Sequence, residues 1–157
     1  MRFRPIHGFL LVLGFMGLLW FAERASEGRL GRAGHQRVRA GADRLVRIAT
    51  AELKPLDVRF FRYLSAGNQE VKFLVGRDAA GHLHVTFDAN EECAKTRRGY
   101  RAQGEWLVCN KCEKAFRLAE VDANHGGCWP VPIAFRLEGA TAVVTEDALL
   151  AGWRLFT

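Results

Sequence analysis

Val71–Lys72–Phe73–Leu74–Val75 and His82–Leu83–His84–Val85–Thr86–Phe87, parted by Asp78–Ala79–Ala80–Gly81, form the stretch that decides the fold. Both runs are rich in branched and aromatic side chains, and the four residues between them signal a turn. In the second run Leu83, Val85 and Phe87 share one face, while His82, His84 and Thr86 share the other. The pattern is that of a β-hairpin. Upstream, Leu45–Ala49 and Val58–Leu64 have the same composition, with breaks at Pro55 and at Ser65–Ala66–Gly67–Asn68. Downstream, Lys114–Val121 and Val131–Leu137 read as short strands, and Thr141–Thr145 alternates again. Glu146–Asp147 then precede Ala148–Leu149–Leu150–Ala151, a short helix with acids at its positive end. Trp153 and Phe156 are expected to pin the terminus to the core. The expected fold is mainly β or α+β, with one small β-rich domain over residues 45–157 behind an N-terminal transmembrane helix.

That helix is expected in residues 1–25. Arg2 and Arg4 make a positive start, and Phe9 to Ala22 carry no charge. The run is short for a membrane span of about 20 residues and also suits a secretory signal. Trp20 and Phe21 form an interfacial border, and Ala22 and Ala25 flank two charged residues and offer no clean cleavage site. These features favour an uncleaved signal anchor. Residues 26–44, with Gly28, Gly31, Gly34 and Gly41 among arginines, read as a tether touching lipid headgroups or as a docking strip for a membrane partner. Arginine counts alone would put the domain in the cytoplasm, because Arg24, Arg29, Arg32, Arg37 and Arg39 follow the apolar run. The secretory pattern at the start points outside, and the extracytoplasmic placement is adopted.

The net charge of +6 fits attraction to a lipid bilayer, and no nucleic-acid partner is expected. No paired carboxylates, Ser–His–Asp order or phosphate-cradling loop points to a hydrolase or nucleotide enzyme.

All four cysteines fall between residues 93 and 128. Cys109 and Cys112 have the spacing with which two thiolates grip one metal or act as a reversible dithiol. Cys93 and Cys128 stand outside that pair, each separated from it by fifteen residues. Four thiolates suit iron, an iron–sulfur cluster or zinc on count alone, and outside the cytoplasm they could instead be two disulfides. Lys95, Arg97, Arg98, Arg101, Lys111 and Lys114 crowd the segment and would offset thiolate charge. Gly126–Gly127 beside Cys128 would let backbone approach a metal, and the neighbouring His125 is a further candidate ligand. His82 and His84 are a ligand pair on one reading and a solvated strand face on the other. No CxxCH is present, which argues against c-type haem. Cys93, Tyr100, Trp106 and Trp129 are together expected to shield the centre from water.

Asp88, Ala89 and Cys93, then Arg98–Gly99–Tyr100, Val108–Cys109 with Cys112, and Gly126–Gly127–Cys128 with Pro130, together resemble the FtrD-like family of membrane iron–sulfur-containing proteins. The similarity runs from about Leu45 to Phe156. Asn90 stands where that family's first cysteine would be, and a turn or cap role is expected for it, with an oxygen ligand as the alternative. The resemblance implies a bacterial inner-membrane protein with one transmembrane pass and a periplasmic domain. It further implies an iron or iron–sulfur centre on Cys93, Cys109, Cys112 and Cys128. Electron transfer beside an iron permease or ABC-type permease is the implied activity. Two alternatives stand beside it: a zinc- or disulfide-stabilised, non-catalytic subunit of a membrane complex, and thiol–disulfide exchange through Cys109 and Cys112.

Overall fold

A computed structural model describes Met16 and residues 34–157. The expected anchor, Met16 apart, and residues 26–33 of the expected tether lie outside the described residues. Among the described residues, no helix is long and apolar enough to cross a membrane.

Three small sheets make up the unit that begins at Gly34. The first contains β1 (Gln36–Val38), β3 (Val58–Leu64), β4 (Glu70–Arg77) and β5 (Leu83–Phe87), in the order β1-β3-β4-β5. β1 runs parallel to β3, and the other pairs are antiparallel. The second sheet orders β2 (Leu45–Ala49), β10 (Thr141–Thr145) and β9 (Arg136–Glu138) as β2-β10-β9. The third is the meander β6 (Tyr100–Gln103), β7 (Trp106–Cys109) and β8 (Ala115–Arg117). Helix α1 (Glu146–Ala151) follows β10, with the Thr145 hydroxyl accepting the Ala148 N–H as its cap.

The first sheet is a middle layer with a core on each face. Phe61, Tyr63, Val71, Phe73, Val75, Val85 and Phe87 face the second sheet, meeting Val46, Ile48, Ala142, Val144 and Leu149. From the opposite face Phe60 and Leu74 meet the third sheet through Tyr100, Leu107, Cys109 and Phe116. Covering both faces explains why β4 is nearly continuously apolar although its neighbours are antiparallel. Phe73 and Leu74 are adjacent, wholly buried and in different cores. Each such side chain contributes roughly 1.5–3 kcal/mol through burial.

The polar face of β5 is therefore not solvated. His84 is buried, with Nδ1 2.7 Å from Asp122 Oδ2 and Nε2 3.2 Å from Asp78 Oδ2. Thr86 is fully buried beside it. His82 is exposed, its ring nitrogen 3.4 Å from the same Asp78 oxygen. Asp78 thus occupies both histidines.

The body also starts earlier than Leu45. Gln36–Val38, inside the Gly/Arg-rich stretch, are already a strand, and His35 Nε2 lies 2.8 Å from Asp88 Oδ2. β6 and β7 carry no strand assignment in the sequence reading, although Gly104, at φ +57°, turns one into the other. Their three or four residues each are too short to display a period. Of the expected Lys114–Val121 strand, Ala115–Arg117 is extended and Leu118–Glu120 is a 3-10 turn. Val131–Ile133 runs along β5 by backbone hydrogen bonds, and only Arg136–Glu138 reaches β10. Phe156 packs on Phe87, with ring centroids 6.3 Å apart, and pins the terminus as its composition suggests.

Candidate metal centre

Two chain segments leave the edge of β5 side by side, and their adjacency builds the site. Phe87 N–H donates to Val131 O at 2.8 Å, Val131 N–H to Ala89 O at 3.4 Å, and Glu92 N–H to Gly127 O at 3.3 Å. Two cysteines far apart in sequence thereby meet, with 3.8 Å between the sulfurs of Cys93 and Cys128. Asn90 shapes the first segment, its Oδ1 accepting the Cys93 N–H at 2.6 Å. A 3-10 turn over Ala94–Thr96 follows.

The third sheet delivers the other two. Cys109 is the last residue of β7, and a tight turn returns the chain to β8. Cys109 N–H donates to Lys114 O at 2.9 Å, and Glu113 N–H donates to Cys109 O at 3.0 Å. Cys112, at the turn, lies 3.5 Å from Cys128 through sulfur. The sulfurs of Cys93, Cys112 and Cys128 all lie within 4.8 Å of one another, and no other such group of ligand atoms occurs among the described residues. Cys109 is 1% exposed and packs in the same cluster as the other three cysteines, yet stands outside that close group. All four cysteines are free thiols. Their separations are far from the bond length of about 2.05 Å that a disulfide requires.

Asp88 and Tyr100 brace the site. The Asp88 carboxylate accepts the Tyr100 N–H at 2.6 Å and meets His35. Burial pushes this carboxyl up, against the lowering effect of His35 and the Tyr100 amide. Gly99 is required beside it: its φ is +61°, and a Cβ there would overlap the Asp88 carboxylate. The Tyr100 hydroxyl donates to Cys128 O at 2.6 Å and accepts from Asn90 Nδ2 at 2.7 Å. Its ring meets Phe116 edge-on, and Phe116 lies 4.6 Å from Trp129 between centroids. These three rings line the apolar side. Trp106 stands at the other end of β7, beneath the Arg117 guanidinium.

The sulfurs differ in environment. Cys112 is the most exposed, and its thiol is lowered, first by the Lys114 backbone N–H directed at it. Cys93 is raised by burial. Cys128 is raised chiefly by Glu92, whose Oε2 lies 3.0 Å from the sulfur and holds a proton there. Glu92 itself is lowered by that contact, then by Lys114 and Lys111.

Thiolates are soft donors that suit iron or zinc. His125 is exposed and outside the sulfur group, as are His82 and His84. Cys93, which stands outside the Cys109–Cys112 pair in the sequence, is one of the three closest sulfurs. Glu92 and Phe116 had no distinguishing signal, since both reach the site only through sheet pairing.

A family model described as membrane iron-sulfur containing protein FtrD-like matches residues 53–156. No curated protein and no solved structure matches the chain.

Proposed function

This chain belongs to the FtrD-like family of membrane iron–sulfur-containing proteins, and from that premise we propose a membrane-anchored iron protein that carries electrons within a bacterial metal-uptake or redox complex. Cys93, Cys109, Cys112 and Cys128 are the proposed ligands. Residues 1–25 anchor the domain to the inner membrane on its periplasmic side, where arginines of the following segment touch lipid. The partner is an integral membrane complex such as an iron permease or an ABC-type permease.

The mutual approach of Cys93, Cys112 and Cys128 within 4.8 Å carries this reading. Bound iron would supply a one-electron couple at the site. Tyr100, Phe116 and Trp129 exclude water from one side, and Lys111 and Lys114 offset thiolate charge near Glu92. Both effects stabilise a metal–thiolate centre against hydrolysis and tune its potential.

Metal analysis with an absorbance spectrum on anaerobically purified full-length protein tests the proposal. Visible thiolate-to-iron absorbance and stoichiometric iron are expected. A colourless protein holding stoichiometric zinc would overturn it and favour a structural subunit.

A second reading, thiol–disulfide exchange, draws on the exposure and lowered thiol of Cys112. Its resolving partner would then be Cys128, whose sulfur lies 3.5 Å away. A Cys128→Ser variant that accumulates no mixed disulfide at Cys112 would exclude it.

A further inference from the structure

We infer that the cysteine site takes one tetrahedral metal ion and not a polynuclear iron–sulfide cluster, with Cys109 as the fourth sulfur. The inference rests on the iron-centre reading for its setting, and the spacing of the sulfurs carries the single ion. Four sulfurs about 2.3 Å from a single ion lie at the corners of a tetrahedron whose edges are about 3.8 Å. The pairs Cys93–Cys128 and Cys112–Cys128 measure 3.8 and 3.5 Å. The third pair of that triangle is held within 4.8 Å. Three corners of one tetrahedron are thus laid out by the fold.

A cluster asks for the opposite arrangement. Its irons are separate atoms bridged by sulfide, and its thiolates are distributed among them. In a 2Fe–2S centre the cysteines approach as two separate pairs, and in a 4Fe–4S centre no two share an iron. Neither leaves three cysteine sulfurs in mutual near-contact. Bridging sulfides would also need room at the centre of the group. A cavity of about 100 Å³ beside the site is lined by Cys93 and Cys109 but by neither Cys112 nor Cys128. The donor set fits iron, and the spacing does not fit a cluster.

Cys109 and Glu92 compete for the fourth corner. Glu92 meets the group at Cys128, from the exposed side. Cys109 packs in the same cluster as the other three cysteines, is buried, and has Asn90 Nδ2 directed at its sulfur at 3.8 Å. An N–H donor aimed at a buried sulfur supports a thiolate ligand. A movement of Cys109 closes the tetrahedron and leaves Glu92 as a positioning residue on Cys128.

The full chain, purified anaerobically in detergent from iron-replete cells, is assayed for iron, zinc and acid-labile sulfide per chain, with electron paramagnetic resonance of the oxidised state. One iron, no labile sulfide and the signal of an isolated high-spin ferric ion are expected. One zinc without sulfide supports the single-ion geometry while overturning the iron reading. Two or more irons with matching sulfide overturn the single ion while sustaining the iron reading. No bound metal overturns both. Cobalt(II) loading then counts the sulfurs by charge-transfer intensity. Cys109→Ser should reduce that intensity by about a quarter and Glu92→Gln should leave it unchanged, and the reverse pattern overturns Cys109 as the fourth ligand.

Discussion

Asn90 directs its side-chain amide at the sulfur of Cys109, with Nδ2 3.8 Å from Sγ, while its Oδ1 receives the Cys93 N–H at 2.6 Å. One carboxamide thereby links the loop that carries Cys93 to the strand end that carries Cys109. It also donates to the Tyr100 hydroxyl, which in turn holds the Cys128 carbonyl. All of Asn90's contacts lead to a cysteine or to a residue that positions one.

Asn90→Ala should therefore lose more than a loop contact. Removing the acceptor leaves the buried Cys93 amide unpaired, at a cost of about 1–3 kcal/mol. Loss of the donor to Cys109 should also weaken metal retention by about 10–100-fold, the usual effect of deleting such a supporting hydrogen bond. Asn90→Asp separates the two roles, because it keeps the acceptor for Cys93 but presents no N–H to Cys109. Urea unfolding of metal-free protein should place Asp above Ala, whereas chelator competition should find both weaker than Asn. Equal metal retention in all three would remove Asn90 from the site.

Chelation should loosen only part of the molecule. The core between the first and second sheets contains no cysteine, and Phe61, Phe73, Val75 and Val144 are packed there irrespective of any metal. The second core includes Cys93, Cys109 and Cys128 among its members. Hydrogen exchange after metal removal is expected to speed up in residues 89–98, 109–114 and 126–130. Amides of β3, β4 and β10 should keep their protection. Uniform loss across all three sheets would show that the metal holds the whole domain together.

Which parts of this were legible in the sequence follows from length and reach. β3 and β10 match the expected segments residue for residue, because five to seven residues of branched and aromatic side chains are enough to show a strand. β6, β7 and β8 have four residues or fewer, and their pairing is set by the turns at Gly104 and Cys112 more than by any repeat. The alternation of β5 was readable, but not what covers its histidine face, since Asp122 arrives from 38 residues away. The cysteine pattern announced the site. The segregation of Cys109 from the other three was invisible, because Cys93 and Cys128 meet only through the pairing of residues 87–92 with 127–131.

Thr86 offers a test of the middle layer. It is fully buried between Leu74 and Pro132 in strand register, and its hydroxyl has no hydrogen-bond partner. An unpaired buried hydroxyl is a net cost, and valine replaces it at nearly equal shape. Thr86→Val should raise unfolding stability by about 1 kcal/mol. Thermal and urea unfolding would read this directly. A loss of stability would instead mean that the hydroxyl is satisfied, by water or by movement of a neighbour.

Asp78 should make stability fall in acid. Burial alone would raise its pKa, but the hydrogen bond with His84, the His82 backbone N–H at 2.8 Å and the two nearby imidazoles outweigh it and bring the carboxyl from 3.8 down to about 2. The folded protein therefore binds this proton less readily than the unfolded chain. The contribution is fully present above about pH 4 and disappears as the pH falls through about 2. Its size is about 2 kcal/mol, the free-energy equivalent of that displacement for a buried group. Asp78→Asn keeps an oxygen for the His82 amide and removes the charge. The variant should be less stable than the native protein by about that amount at pH 6. The two stabilities should converge only as the pH falls below 2, because the native carboxyl is half protonated at about pH 2. Urea unfolding at intervals across this range gives the difference at each pH. A gap that stays constant into acid would assign the effect of Asp78 to packing and not to its charge.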